Sequence, residues 1–375
     1  MKNSFRFLLL FFCFLFLFCS SKLKFKNFDA SEPTSWRKFR SDLKNSSFVP
    51  QKTSLPQKLM WREKPRGALA SSPLATNGFL ILGGLDNKLY FLDAKTGEKK
   101  KNLKTKSHIS SSPFLEDSIL YFSSEQDDGN LYALNLLNGE ILWQKDFKDP
   151  SNSPLAIDEK IYLGTYDGRF FCLDGASGKV LWFFKAGDII KSIPAYDDGF
   201  LFFGSGDRNF YSLDKESGKE IWRYKAGSAI YSSPAIKEGM VFFGCLDGTF
   251  YALDKTNGDS LWKFDTQGKI FSSPAVDDLK VYFGSNDGYL YAVNSTSGKL
   301  EWRFDAESAI NSSPIVVGDK LFFGSLDGNF FVLNKANGEL LWSYRTEGMI
   351  LSEPVFYDGR IYITTFDGWV YCFGE

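Results

Sequence analysis

The feature that most constrains this chain is a repeat of about 40 residues. A proline, usually preceded by serine, recurs at intervals of 40 or 41 residues, at Pro73, Pro113, Pro154, Pro194, Pro234, Pro274, Pro314 and Pro354. A tryptophan recurs near the end of most units, and an Asp-Gly pair or a close variant lies between the two markers. Self-similarity at this period is typical of arrays in which each unit packs on the next.

One unit shows how the repeat should fold. Short apolar runs follow Ser233-Pro234 and are separated by two turn signals. Asp247-Gly248 supplies the positive-φ residues of a tight hairpin, and residues 254–258 supply a second turn with an aspartate and a glycine. Four antiparallel strands in 40 residues form one blade of a β-propeller. The sequence therefore predicts an all-β fold, an eight-bladed β-propeller of four-stranded antiparallel blades.

The two ends of the array predict how the ring closes. The last unit stops at Glu375, before a fourth strand and its tryptophan. Trp61 precedes Pro73 by 12 residues, as Trp222 precedes Pro234. We therefore expect an N-terminal strand to complete the last blade, which leaves no open sheet edge. The first unit lacks the tryptophan; we place Leu103 at its position and expect that blade to be the least well anchored.

The N-terminus predicts export. Residues 1–21 form the signal, because Lys2 and Arg6 precede an apolar run at 7–18 that is too short to cross a bilayer. The signal either ends by cleavage at a small-x-small site or ends before a lipidated Cys19. Residues 15–19 resemble a lipoprotein signal, but Phe18 stands where that pattern has a small residue. We expect a periplasmic protein or an outer-membrane lipoprotein, held at the membrane only if Cys19 is modified.

Two further regions follow the signal. Residues 22–57 are predicted to be a mostly irregular tether, within which residues 36–42 can dock on the propeller. Residues 58–375 are predicted to form the propeller itself. Cys172, Cys245 and Cys372 fall in blades three, five and eight, too far apart for a disulfide, so we expect three free buried thiols.

Charge gives no reason to expect a nucleic-acid partner. The chain has 44 basic and 45 acidic residues, a formal net charge of −1. We expect a monomeric propeller whose partners are proteins.

Each unit approximates Ser-Pro-x4-Gly-x-(Val/Leu)-(Tyr/Phe)-Phe-Gly-Ser-x-Asp-Gly, followed by a strand, a turn and a tryptophan. This pattern resembles the PQQ-like, quinoprotein-type propeller repeat across most of the chain. The resemblance implies that the outer-strand tryptophans dock on the neighbouring blade; they are Trp61, Trp143, Trp182, Trp222, Trp262, Trp302 and Trp342.

The family has two functional branches, and the fold alone does not choose between them. One comprises PQQ-dependent dehydrogenases, and the other comprises non-catalytic scaffolds such as the BamB type, which work in outer-membrane β-barrel assembly. A quinoprotein enzyme needs loops that hold a quinone and Ca²⁺, yet the units here differ in length by one residue at most. We therefore expect no catalytic residue, cofactor or metal, and a scaffold that binds outer-membrane β-barrel assembly components. The alternative is a quinone-binding dehydrogenase or a small-ligand-binding propeller.

Positions that vary between units indicate where binding could occur. The third residue before each proline should lie at the channel mouth, which makes Lys191, Tyr231, Phe271 and Asn311 candidates. The residues that flank the Asp-Gly turns are large and apolar or aromatic in several units, as expected of a surface that binds a protein. These candidates are Leu85, Tyr166, Arg169, Leu246, Tyr289, Leu326, Phe366 and Trp369. Packing on neighbouring hairpins is the alternative explanation for them.

Overall fold

The computed structural model is a ring of eight antiparallel sheets. It describes residues 40–125, 129–147 and 152–375, together with Asp29, Glu32, Trp36 and Pro150. The export signal and Cys19 lie outside these residues. All regular structure in the described part is strand, and none of it contains a helix that could cross a membrane. The predicted all-β, eight-bladed propeller is confirmed.

Two strands precede the first repeat, and four follow in each of the first seven units. The leading strands are β1 (Phe48–Val49) and β2 (Lys58–Glu63). Blade one has β3 (Leu74–Thr76), β4 (Phe79–Gly84), β5 (Lys88–Asp93) and β6 (Lys99–Lys104). Blade two has β7 (Phe114–Glu116), β8 (Ile119–Ser123), β9 (Asn130–Asn135) and β10 (Glu140–Asp146). Blade three has β11 (Leu155–Ile157), β12 (Lys160–Gly164), β13 (Arg169–Asp174) and β14 (Val180–Lys185). Blade four has β15 (Ala195–Asp197), β16 (Phe200–Gly204), β17 (Asn209–Asp214) and β18 (Glu220–Lys225).

The second half of the ring repeats this arrangement. Blade five has β19 (Ala235–Lys237), β20 (Met240–Gly244), β21 (Thr249–Asp254) and β22 (Ser260–Asp265). Blade six has β23 (Ala275–Val276), β24 (Lys280–Gly284), β25 (Tyr289–Asn294) and β26 (Leu300–Asp305). Blade seven has β27 (Ile315–Val317), β28 (Lys320–Gly324), β29 (Asn329–Asn334) and β30 (Leu340–Arg345). Blade eight has β31 (Val355–Tyr357), β32 (Arg360–Thr364) and β33 (Val370–Gly374).

The core lies between blades, where the second and third strands are buried on both faces. These strands are therefore continuous apolar runs, whereas the outermost strand alternates between exposed and half-buried residues, as β22 does. Aromatic rings from successive blades stack across the interfaces. The Phe250 and Phe283 ring centroids are 3.9 Å apart, and those of Phe210 and Phe243 are 4.2 Å apart. The high aromatic content of the chain is thus explained by blade-to-blade packing.

The N-terminal strand closes the ring as expected. Strand β2 pairs antiparallel with β33, with Trp61 opposite Cys372, and so becomes the outer strand of blade eight. Because the closing bonds join the first and last repeats, no edge of that blade is left open.

The outer-strand tryptophans clasp neighbouring blades. The indole N–H of Trp222 in blade four donates to the Lys255 carbonyl of blade five at 3.1 Å, and that of Trp61 donates to the Ala94 carbonyl of blade one at 3.1 Å. The ring of each such tryptophan lies against a glycine in the neighbour's turn. The assignment of Leu103 to this position was wrong by two residues. Lys101, which lies opposite Phe91, occupies the tryptophan position, whereas Leu103 lies opposite Leu89 in the half-buried part of β6.

One segment that precedes the propeller is built into it. We call Trp36 and residues 40–49 the strap. Trp36 is buried and exchanges two backbone hydrogen bonds with Ala75 of β3. Strap carbonyls then accept from the innermost strands of blades four to seven, at Tyr196, Ile236, Val276 and Val316. Within the region assigned to a tether, the strap thus covers one end of the central channel, which we call the strap end.

Candidate functional site

The opposite end of the channel holds a cavity of about 430 Å³, the mouth cavity. The third residues before the repeat prolines converge here because each blade begins its innermost strand at this end. Lys191, Tyr231, Phe271 and Asn311 all line the cavity. The channel therefore opens on one side through side chains that differ from blade to blade.

A cation held between aromatic rings dominates the mouth cavity. The Lys191 Nζ lies 5.1 Å from the ring centroid of Tyr231 and 5.7 Å from that of Tyr166. Tyr231 in turn contacts Phe271, with 6.5 Å between ring centroids. Such contacts stabilise an ammonium group at the expense of its mobility. Glu125 supplies a carboxylate to the same cavity.

A belt of serines underlies the mouth, and the two serines before each proline have different partners. The N–H of Ser233 donates to Ser273 Oγ of the next blade at 2.9 Å, whereas Ser232 Oγ accepts from Gly244 N–H of its own blade at 3.2 Å. The N–H of Glu353 donates likewise to the equivalent serine of blade one. The Ser-Ser-Pro sequence thus joins blades as well as starting strands, a role that the sequence did not reveal.

The strap closes the channel beneath the mouth cavity with a buried ion pair. Arg40 and Glu353 are both fully buried, with 3.8 Å between Nη1 and Oε1. Glu353 also accepts from the Arg40 backbone N–H at 2.9 Å and from Ser47 Oγ at 2.5 Å. The Arg40 guanidinium donates to the carbonyls of Asn45, Ser273 and Pro274. Burial lowers the pKa of Arg40 to about 10 and raises the pKa of Glu353, a rise that the nearby guanidinium opposes.

The hairpins that join the second and third strands surround the mouth, and their predicted residues differ in exposure. Tyr166 and Phe366 are 41% and 37% exposed. Leu85, Leu246 and Leu326 are half-buried. The exposed aromatic surface on this rim is therefore concentrated in blades three and eight.

Three further rim candidates are partly covered by cations. The Arg303 guanidinium lies 4.5 Å from the Tyr289 ring centroid, and that of Arg62 lies 4.7 Å from the Trp369 ring. Arg169 donates to Asp167 at 2.7 Å. These side chains have partners within the propeller, as the packing alternative anticipated.

An exposed apolar strand lies on the outer wall of blade three, where the sequence analysis did not look. In β14, Val180, Leu181 and Phe183 are 41%, 48% and 58% exposed. The position of Phe183 carries Arg223 in blade four and Lys263 in blade five. Comparing outer strands between units would have identified this difference.

The three thiols in the described residues are free and buried. Burial raises the pKa of Cys172 to about 11 and those of Cys245 and Cys372 to about 12, which leaves them protonated and unreactive at neutral pH. The described residues contain no group of three or more His, Cys, Asp or Glu side chains that could hold a metal ion.

The family described as outer membrane protein assembly factor BamB matches residues 99–184, 171–304 and 286–374. A curated protein with that name from Burkholderia pseudomallei is 27% identical over 143 residues, which cover 33% of this chain and 37% of the relative. The alignment therefore spans well under half of that relative.

Solved structures share the fold at low identity. BamB from Moraxella catarrhalis superposes with a TM-score of 0.75 and 18% identity, over 85% of this chain and all of that one. A quinohemoprotein alcohol dehydrogenase from Pseudomonas putida HK5 gives a TM-score of 0.79 and 14% identity, over 92% and 81% of the two chains. A europium-containing methanol dehydrogenase gives 0.76 and 13%, over 92% and 99%.

Proposed function

Because the chain belongs to the family of the outer membrane protein assembly factor BamB, we propose that it is a non-catalytic scaffold that binds protein partners during outer-membrane protein assembly. The family match over residues 99–374 supports this proposal most directly. The ring adds a rigid surface, since every blade is clasped to its neighbours.

The partner surface that we propose is the rim around the mouth cavity. Tyr166 and Phe366 present large side chains to solvent on short hairpins, and buried aromatic anchors carry much of the energy of protein interfaces. Lys191, packed beside Tyr166, adds a charge with little freedom to lose on binding.

A pull-down from detergent-solubilised membranes tests the proposal. The wild-type chain should retain outer-membrane β-barrel assembly components, and a Tyr166→Glu/Phe366→Glu variant should lose them. Asn286→Glu is the matched control, because it adds the same charge at the equivalent position of blade six. Equal retention by wild type and double variant would reject the rim, and no retained component would reject the assembly role.

We also propose export and anchoring through Cys19. Cys19 lies outside the described residues, so the proposal depends on the apolar run at 7–18 and on the family match. Mass spectrometry of the mature protein should find a lipid-modified Cys19 as the first residue. An unmodified chain that begins at Lys22 would reject the anchor.

A ligand-binding propeller is the second candidate, because the mouth cavity is large enough for a small molecule and dehydrogenases share the fold. The residues present do not fit a quinone–calcium site. Ca²⁺ takes six to eight oxygen ligands, whereas the carboxylates that line the cavity are Glu125, bonded to Ser110, and Glu353, bonded to Arg40 and Ser47. Purified protein incubated with PQQ and Ca²⁺ should show neither bound chromophore nor dye reduction, and either result would favour this candidate.

A further inference from the structure

The strap leaves part of the channel wall uncovered. In blades one and four to seven, the residue two positions after the repeat proline donates its N–H to a strap carbonyl, as Tyr196 does to Leu43 at 2.7 Å and Ile236 does to Lys44 at 2.8 Å. The equivalent residues of blades two and three are Leu115 and Ala156. Their backbone N–H groups have no hydrogen-bond partner among the described residues.

These two backbone positions face a cavity of about 650 Å³, the strap groove. Ala75 of blade one uses both its N–H and its carbonyl to bond Trp36, so the same position in each repeat directs both groups away from its own sheet. Leu115 and Ala156 therefore present donors and acceptors to the groove. Polar backbone groups at a strand edge form a template for another strand.

The side chains of the strap groove indicate what kind of strand it accepts. Its base is apolar and buried, formed by Phe114, Leu115, Ala156 and Ile157. Four carboxylates line it, from Asp42, Glu116, Asp117 and Asp158. The cation that lines it, Lys44, pairs with Asp197 at 2.9 Å, so acidic groups dominate the groove.

We propose that the strap groove binds an extended, lysine- or arginine-rich segment of a partner protein by backbone pairing with β7 and β11. The segment supplies carbonyl and N–H groups to Leu115 and Ala156, its apolar side chains alternate onto the buried base, and its cations reach the acidic edge. This site lies at the end of the ring opposite the rim, and the inference does not depend on the proposed function.

The test uses the purified full chain and a synthetic eight-residue peptide of alternating lysine and valine. Hydrogen exchange at the Leu115 and Ala156 amides should slow when the peptide is added, while the Ile236 amide, already bonded to the strap, should not change. A peptide of alternating glutamate and valine should not bind.

Charge reversal supplies the second arm. Asp117→Lys/Asp158→Lys should weaken binding of the lysine peptide by about tenfold, because two attractive charges become repulsive. Glu238→Lys is the matched control, since Glu238 is an exposed residue at the same repeat position in blade five, where the strap already covers the inner strand. It should change the affinity less than twofold.

Three results would overturn the inference. One is unchanged exchange at Leu115 and Ala156 when the peptide is saturating. Another is an equal effect of the Glu238→Lys control. The third is full protection of both amides in the absence of peptide, which would mean that the chain itself fills the groove.

Discussion

Replacing Arg40 by methionine should destabilise the propeller and release the strap. The substitution keeps an unbranched side chain of similar length but removes the guanidinium donors to the carbonyls of Asn45, Ser273 and Pro274. It also leaves Glu353 fully buried without its cation. Removing one member of a buried ion pair costs about 3–5 kcal/mol, because the remaining charge is neither hydrated nor paired.

The cost can be separated into its parts by a double-mutant cycle. Glu353→Gln removes the stranded charge, so Arg40→Met/Glu353→Gln should recover about 1–3 kcal/mol relative to Arg40→Met. Arg223→Met is the control, because Arg223 is exposed and its pair with Glu220 should contribute less than about 1 kcal/mol.

Urea unfolding at pH 7 measures the stability change, and native-state hydrogen exchange shows where it acts. Exchange should accelerate at Tyr196, Ile236, Val276 and Val316, whose amides donate to the strap, well before it accelerates in the second and third strands. If Arg40→Met costs less than about 1 kcal/mol and these four amides keep their protection, the ion pair does not hold the strap.

Three further predictions concern stability. Gly258→Ala places a Cβ 2.5 Å from the Trp222 ring and should cost about 2–4 kcal/mol in thermal unfolding, whereas Gly239→Ala, with the same φ of +77° and nothing within 4 Å, should cost only about 1 kcal/mol; equal costs would contradict the clasp. Lys101→Trp supplies the missing clasp of blade one and should raise stability by about 1 kcal/mol, and a lowered melting temperature would reject that placement. Burial and three neighbouring carboxylates raise the pKa of Glu116 from 4.5 to about 7, so wild type loses stability as pH rises through this window; Glu116→Gln should be about 1–2 kcal/mol more stable at pH 8 and equal to wild type at pH 4 by urea titration, and no pH dependence would refute the shift.

Local signals in the sequence were sufficient for the fold but not for the strap. Periodic prolines and Asp-Gly turns define strands through rules that act within ten residues, and the spacing of Trp61 extended them to ring closure. The Leu103 assignment failed because a bulge in the outer strand shifts the register by two residues near this position, which a count from neighbouring strands does not show.

The candidate site was predicted in outline only. Lys191 and Tyr231 could be placed at the channel mouth because the repeat fixes their position, but their contact with each other depends on side chains of different blades. Arg40 gave no signal, since an arginine in an irregular, charged segment is ordinarily solvated. Its burial depends on Glu353, 313 residues away.

That separation has a consequence for how the molecule folds. Backbone bonds from the strap reach the sixth and seventh blades, and the serine belt joins Glu353 to Ser72 across 281 residues. Blades can form locally as they leave the ribosome or the export channel, but the strap and the closing strand have no partners until nearly all of the chain is present. Contacts of such high order make the last step slow, and they leave the two ends of the sheet array open to other polypeptides for the longest time.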